Sequence, residues 1–422
     1  MEQLVICGGS MLNGTVDIHG AKNSILPILA ACVLCPHRCV IARCPDISDL
    51  HTATDILRHL GCRVEKIGGA VLVDGESADK TEIPRELMVR MRASVNFLGA
   101  LLARFGRCTL SLPGGCCLGD RPIDYHIAAL EQLGVTMEEE GEKLRFSWPK
   151  KRGGEITLPF PSVGATENVV LAATAVPGRV VLHNAAKEPE IVDLCRFLCA
   201  MGAEIDGAGT ETIVISGQKN LQGTVYTVMP DRMEAATYLA MAAACGGKVR
   251  LRGVDASHLA PVLDVFHRAG CRIEKKEKEI FLSSTGCLVS PGEIETAAYP
   301  GFPTDAQAPV MAALLRAEGK TVFRETVFSS RFQHVAELRK LGADISVSGS
   351  EAVVCGVKRL CGTDVLATDL RGGAGVIIAA LQAEGQSTVD GVCYIRRGYA
   401  ELTDNLRKLG AKVTDREPKW AL

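Results

Sequence analysis

Aromatic residues, net charge and long apolar runs are all scarce in this sequence. Phe, Trp and Tyr make up 5% of the 422 residues, too few for the stacking platforms that hold single-stranded bases. A formal net charge of −2 leaves no basic stripe for a nucleic-acid backbone. The longest apolar run, ILPILAACVLC from Ile25 to Cys35, contains a proline and is too short to span a bilayer. The opening MEQLVICGG has no basic region, apolar core or small-residue cleavage site, so no signal peptide is expected and the expected location is cytoplasmic. No G-x-G-x-x-G opens a helix, and EGKT at 318–321 follows Leu314 where a P-loop needs glycine. Neither nucleic acid nor a membrane is an expected partner.

Cysteine, in contrast, is plentiful at 17. In a reducing compartment these are free thiols, most of them packed as small apolar side chains. The segment CVLCPHRC brings Cys32, Cys35, His37 and Cys39 together, with Cys44 close behind. No second C-x2-C pair follows, and Cys32 and Cys35 lie in an apolar run, so core thiols are favoured over zinc. No metal and no organic cofactor is expected.

One phrase recurs six times: ILRHLGCRVE, LEQLGVTME, FLCAMGAEID, VFHRAGCRIE, ELRKLGADIS and NLRKLGAKVT. Its glycines, Gly61, Gly134, Gly202, Gly270, Gly342 and Gly410, are spaced by 73, 68, 68, 72 and 68 residues. So regular a period over the full length is an internal repeat. Each phrase reads as a helix closed by a C-terminal glycine and followed by a short alternating strand. Upstream lies a helix of small apolar residues, as in AATYLAMAAACGG, and then a β-branched strand such as KVRLRG. Six such units predict a closed or layered α/β array in place of an open Rossmann sheet.

The entrances to the small-residue helices are polar: Lys22 and Asn23, Arg92, Thr166 and Glu167, Asp231 and Arg232, Asp305, and Asp369 with Arg371. With a common orientation their N-termini would converge, and unpaired amides at the positive dipole end favour an anion. Thr166 and Asp231 read most simply as N-caps. Lys22, Arg92 and Arg371 oppose the dipole, which points to anion binding. The second repeat also carries an insertion: Gly106 to Gly134 spans 28 residues where the later repeats take 23 to 25. The surplus is PGGCCLGDRP, a glycine-rich loop with Cys116, Cys117 and Arg121, and a candidate lid.

At these residues the chain resembles the UDP-N-acetylglucosamine 1-carboxyvinyltransferase family of enolpyruvyl transferases. GAKN, MRAS, PGGC-x-x-G-x-RP-x-D-x-H, SVGAT, NAAKEPEI, FPTD-x-Q and RGY follow the family's order from the first strand to the last repeat. The resemblance implies an inside-out α/β barrel of two domains, each of three βαβαββ-type units, with the active site in the cleft between them. One domain would span 22–229 and carry the Cys116 loop. The other would combine 1–21 with 230–422. The implied reaction transfers the enolpyruvyl group of phosphoenolpyruvate to the 3-hydroxyl of UDP-N-acetylglucosamine through a tetrahedral intermediate, releasing phosphate. Both substrates are small molecules, and the sequence is silent on oligomeric state.

The resemblance also implies roles. Lys22, Arg121 and Arg397 would hold phosphoenolpyruvate, with Arg92 and Arg371 adding positive field. Asp305 would take the sugar proton. Cys116 would serve in proton donation or product release, and as the site of fosfomycin alkylation; an ordinary cysteine titrates near about 8.5, so acid and thiolate both stay open. Arg121, Pro122, Ile123, Asp124 and Tyr125, with Phe160, Pro161, Ser162, Val163, Asp305 and Val327, match nucleotide-sugar contacts. Asn23, Glu188, Asp231, Arg331 and Asp369 match further cleft residues.

The chain departs from the family's usual pattern at Ser329, Ser330, Tyr394 and Arg396, and carries extra acids at Asp120 and Glu167. Ser329, Tyr394 and Arg396 support the alternative of a catalytically silent regulatory homologue that binds UDP-N-acetylglucosamine. A related transferase acting on shikimate 3-phosphate lacks the cysteine loop, and a plain repeat scaffold leaves the cations at helix entrances unexplained.

Overall fold

All six phrase glycines end a helix in the same way. In the computed structural model, which describes residues 2–111, 123–217 and 220–416, Gly61 has φ +98° and Gly410 φ +97°, the left-handed region where a Cβ is strained. The amide one residue further on then reaches back five residues. Cys62 N donates to Leu57 O at 2.9 Å and Ala411 N to Leu406 O at 2.9 Å, and the other four repeats make the same bond. This is the glycine-terminated helix stop that the sequence predicts. The helices so closed include Ser48–His59, Pro189–Ala200 and Ala260–Arg268.

The strands form six four-stranded sheets with one common plan. In each, one edge strand pairs in parallel with the next, and the remaining pairings are antiparallel. In one sheet Gln3–Cys7 lies between Gln386–Asp390, with Leu4 opposite Val389, and Lys412–Arg416, with Leu4 opposite Asp415. Leu4 and Ile6 are buried while their neighbours in the strand are partly exposed, as a period of two requires.

The described residues fall into two compact units, one of 20–111 with 123–229 and one of 2–19 with 230–416. Each holds three of the sheets and three helices that are apolar nearly all round. In the first unit these are Lys22–Ala31, Phe97–Phe105 and Val163–Ala173. In the second they are Arg232–Cys245, Thr304–Ala313 and Leu370–Gln382. A helix apolar on every side belongs in a core. Every residue from Arg232 to Ala244 is buried. Small residues allow the close contact: a Cβ on Gly375 would stand 2.9 Å from the Ala308 carbonyl oxygen. Helices inside and sheets outside make each unit an inside-out α/β barrel.

No helix among the described residues is long and apolar enough to cross a membrane. Cys32, Cys35 and Cys39 are buried, and hydrogen bonds between neighbouring thiols, together with burial, push the Cys35 and Cys39 thiols far up. They pack as core residues, and no group of His, Cys, Asp and Glu among the described residues has the arrangement of a metal site.

Candidate active site

In the unit that contains residues 230–416, three helix entrances are wired together. Asp305 lies in the first turn of Thr304–Ala313. Arg331 donates from Nη2 to Asp305 Oδ1 at 2.9 Å and to the Thr304 carbonyl at 3.0 Å. Arg371, in the first turn of Leu370–Gln382, donates from Nε to Asp305 Oδ2 at 3.1 Å. Both guanidiniums are almost wholly buried, whereas the Asp305 side chain keeps 28% of its surface open. The carboxylate is thus gripped from behind by two cations, which favour its charged form.

Arg371 is fixed from its other side. Its Nη1 donates to the Tyr399 hydroxyl at 3.0 Å, and that hydroxyl lies 2.7 Å from Thr237 Oγ1 on the helix Arg232–Cys245. Burial opposes the Arg371 charge, but Tyr399, Asp305 and Asp231 outweigh it and hold the guanidinium above its ordinary range. Asp231 and Asp369 cap their helices. Asp231 accepts from the Met233 and Glu234 amides at 2.8 and 2.9 Å, and Asp369 from the Arg371 and Gly372 amides at 3.0 and 2.9 Å. Beside Asp369 and Arg331, burial pushes His334 down to about 4, so its ring is neutral at pH 7.

Val327 sits on a turn organised by Glu325, a buried acid absent from the expectations. Glu325 accepts from Thr296 and Thr304 hydroxyls and the Val327 amide, each at 2.9 Å. Arg397 is half-buried just past the helix Val392–Ile395. Its neighbour Arg396, one of the departures, is exposed and pairs with Glu2 at 3.2 Å and Asp415 at 3.8 Å. That side chain serves the sheet edge.

In the unit built from 20–229, Lys22 opens its helix and pairs with Asp49 at 2.9 Å, both nearly buried. The cation at the positive dipole end therefore has an internal acid to offset it, so its position alone does not demand a bound anion. Asn23 follows it, half-buried. In the same turn, Ser24 donates its hydroxyl to the buried carboxylate of Asp193, which also accepts from Tyr226 OH at 2.6 Å and from the Met229 amide at 3.2 Å. Arg92 begins a short 3-10 turn, Arg92–Asn96, ahead of the helix proper at Phe97.

The N-cap of Val163–Ala173 is Ser162, whose side chain accepts from Ala165 N. Thr166 is not a cap: it lies buried in the helix and accepts from the Ala186 amide at 3.0 Å. Glu167 is buried too, bound by Asn96 Nδ2 at 2.8 Å, and burial raises its carboxyl to about 8, with Glu190 and Glu188 adding to the rise. Glu188 is the N-cap residue of Pro189–Ala200. Gly99 N donates to Asn168 Oδ1 at 2.7 Å, and Asn168 Nδ2 also lies 2.8 Å from His126 Nδ1. Burial, with Arg92 adding, lowers His126 to about 4.

Asp124 and Tyr125 start the helix Asp124–Glu131 behind buried Ile123. The Tyr125 ring stacks on Phe160, with centroids 6.4 Å apart and planes at 26°, and both rings are more than a third exposed. Pro161, Ser162 and Val163 continue from Phe160 into the capped turn. Cys116, Cys117, Asp120, Arg121 and Pro122 lie outside the described residues. The supporting residues Thr237, Ser24, Asp49, Asp193, Glu325 and Tyr399 were not singled out from sequence. Thr237 did leave a signal, as the lone Ser or Thr hydroxyl in an apolar helical run.

The family described as EPSP synthase (3-phosphoshikimate 1-carboxyvinyltransferase) matches residues 6–414. The UDP-N-acetylglucosamine 1-carboxyvinyltransferase 2 of Caldanaerobacter subterraneus subsp. tengcongensis is 45% identical over 413 residues, which cover 98% of this chain and 99% of that one. The protein of the same name from Carboxydothermus hydrogenoformans is 44% identical over 414 residues, with coverage of 98% and 99%. Among solved structures, the enolpyruvyl transferase NikO from Streptomyces tendae has a TM-score of 0.89 at 28% identity, covering 98% of this chain and 99% of its own. An EPSP synthase from Acinetobacter baumannii, at 18% identity and a TM-score of 0.75 over 99% of this chain and 100% of its own, shares the fold. The chain belongs to the EPSP synthase family of enolpyruvyl transferases, among its UDP-N-acetylglucosamine 1-carboxyvinyltransferases.

Proposed function

We propose that this protein transfers the enolpyruvyl group of phosphoenolpyruvate to the 3-hydroxyl of UDP-N-acetylglucosamine, releasing phosphate, as the first committed step of peptidoglycan synthesis in the cytoplasm. The observation that carries this reading is the end-to-end relationship, at 45% identity, to a protein bearing that activity in its name. The two units act as enolpyruvyl transferase domains, 22–229 and 1–21 with 230–422.

The chemistry asks for a base, a cradle for anions and a proton donor. Asp305 is the base: it is open to solvent on one side and held by Arg331 and Arg371 on the other. Lys22, Arg121 and Arg397 hold the phosphate and carboxylate, guanidinium forks suiting both groups, and Arg92 and Arg371 add positive field. Tyr125 and Phe160 offer an exposed aromatic surface to the uracil ring. Cys116 donates a proton or assists product release.

Mixing the protein with both substrates and assaying phosphate tests the reading. Release is expected only when both are present. Binding of UDP-N-acetylglucosamine with no release under any condition would instead establish a silent homologue. Cys116→Ala is expected to escape the mass increment that fosfomycin leaves on the parent protein.

A further inference from the structure

The chain of hydrogen bonds behind Arg371 has only one consistent direction. The Thr237 hydroxyl lies 2.9 Å from the Met233 carbonyl, which can only accept, so Thr237 spends its single proton there. Tyr399, 2.7 Å from Thr237 Oγ1, must then donate to that oxygen. The phenol oxygen is left to accept, and Arg371 Nη1, which can only donate, supplies the proton at 3.0 Å. The run Arg371 to Tyr399 to Thr237 to Met233 ends on the backbone of a core helix, and Tyr399 is 3% exposed. Bonds aligned head to tail in this way polarise one another.

We propose that Tyr399 is a positioning residue: with Thr237 it locks the Arg371 guanidinium so that the Nε edge stays on Asp305. The guanidinium also lies over the Tyr399 ring, its carbon 5.5 Å from the ring centre, so ring and hydroxyl hold two faces of one fork. Without the hydroxyl, Nη1 becomes a buried donor with no acceptor at that place, and the fork turns to find one. The role of Asp305 as base rests on the function proposed above, whereas the lock on Arg371 does not.

The test is Tyr399→Phe, which removes one oxygen and keeps the ring. The groups that set the charge around this point are Arg331 and Arg371 on Asp305, and Asp231, Asp305 and Tyr399 on Arg371. With Arg371 released, Asp305 loses one of its two cations and is easier to protonate. The acid limb of the kcat profile is expected to move to higher pH by about half a unit or more, with kcat down on the order of tenfold and KM for the nucleotide sugar little changed. Asp305 is also followed in the resting protein by its carboxyl carbon resonance, identified with Asp305→Asn, and the same upward shift is expected there. Thr237→Val, which leaves the phenol in place, should move both readouts in the same direction. The double variant should add little, since both changes cut one chain.

A lowered melting temperature with the pH profile and the carboxyl titration both in place would reduce Tyr399 to a core residue and overturn the proposal. If the parent protein releases no phosphate at all, the proposed activity fails, and the titration of Asp305 still decides the lock.

Discussion

Replacing Glu167 with glutamine should stabilise the protein, and the gain should depend on pH. Glu167 is buried, accepts one hydrogen bond from Asn96 at 2.8 Å and stands near Glu188 and Glu190, so its folded-state value rises to about 8 from an ordinary 4.5. A raised carboxyl binds more protons in the folded state than in the unfolded one between those two values. Its stabilisation is therefore complete below about 4.5 and is lost as pH climbs, with the loss complete once pH passes about 8. Each unit is worth about 1.36 kcal/mol, so the full interval sets a ceiling of about 5 kcal/mol. Local relaxation and water penetration bring the expected difference to about 1–3 kcal/mol. Glutamine keeps an oxygen for Asn96 and has no charge to bury. Glu167→Gln and the parent should melt together near pH 5 and separate by about 2–4 °C per kcal/mol at pH 9, the scale for a unit of this size. All other titrating groups are common to both proteins, so the difference curve isolates this one. A difference that is flat from pH 5 to pH 9 would show that Glu167 does not change its charge across that range and would refute the reasoning.

Two further outcomes follow from the same geometry. Asp49→Ala removes the acid that pairs with the nearly buried Lys22 at 2.9 Å and should cost on the order of 3 kcal/mol; adding Lys22→Met should recover part of it, and a double variant no more stable than the single would contradict the pairing. Tyr125→Ala or Phe160→Ala should weaken UDP-N-acetylglucosamine binding by about tenfold, on the scale of one lost base stack, while phosphoenolpyruvate binding stays near the parent value; calorimetric titration with each ligand separates the two effects.

What could be read from the sequence was local. The six phrase glycines announce six helix stops because a left-handed residue and the backward bond after it are decided within six residues. All six bonds are present, from Cys62 N to Leu57 O through Ala411 N to Leu406 O. The apolar helices likewise declare burial through composition alone. Thr166 was misplaced because its segment starts earlier, at the Ser162 cap, and a hydroxyl in the first turns does not say which residue is the boundary. The partners of Lys22 and Ser24 were invisible for a different reason. Asp49 lies a helix away and Asp193 is 169 residues on, and nothing in a one-dimensional pattern selects one acid among 49. Arg396 shows the converse. It stands out in the sequence as a departure beside Arg397, yet its charge is satisfied by Glu2 and Asp415.

The sheet around Gln3–Cys7 has a consequence for how the chain is made. That strand leaves the ribosome long before its neighbours, Gln386–Asp390 and Lys412–Arg416. At roughly 5–20 residues per second, the interval is about 20–80 seconds. Residues 20–229 contain every strand of their own three sheets and can finish folding while Leu4 and Ile6 still wait, exposed, for partners not yet synthesised. Nascent chains stalled before residue 386 should therefore hold a protease-resistant core built from 20–111, 123–217 and 220–229, with the strand Gln3–Cys7 open to chaperones.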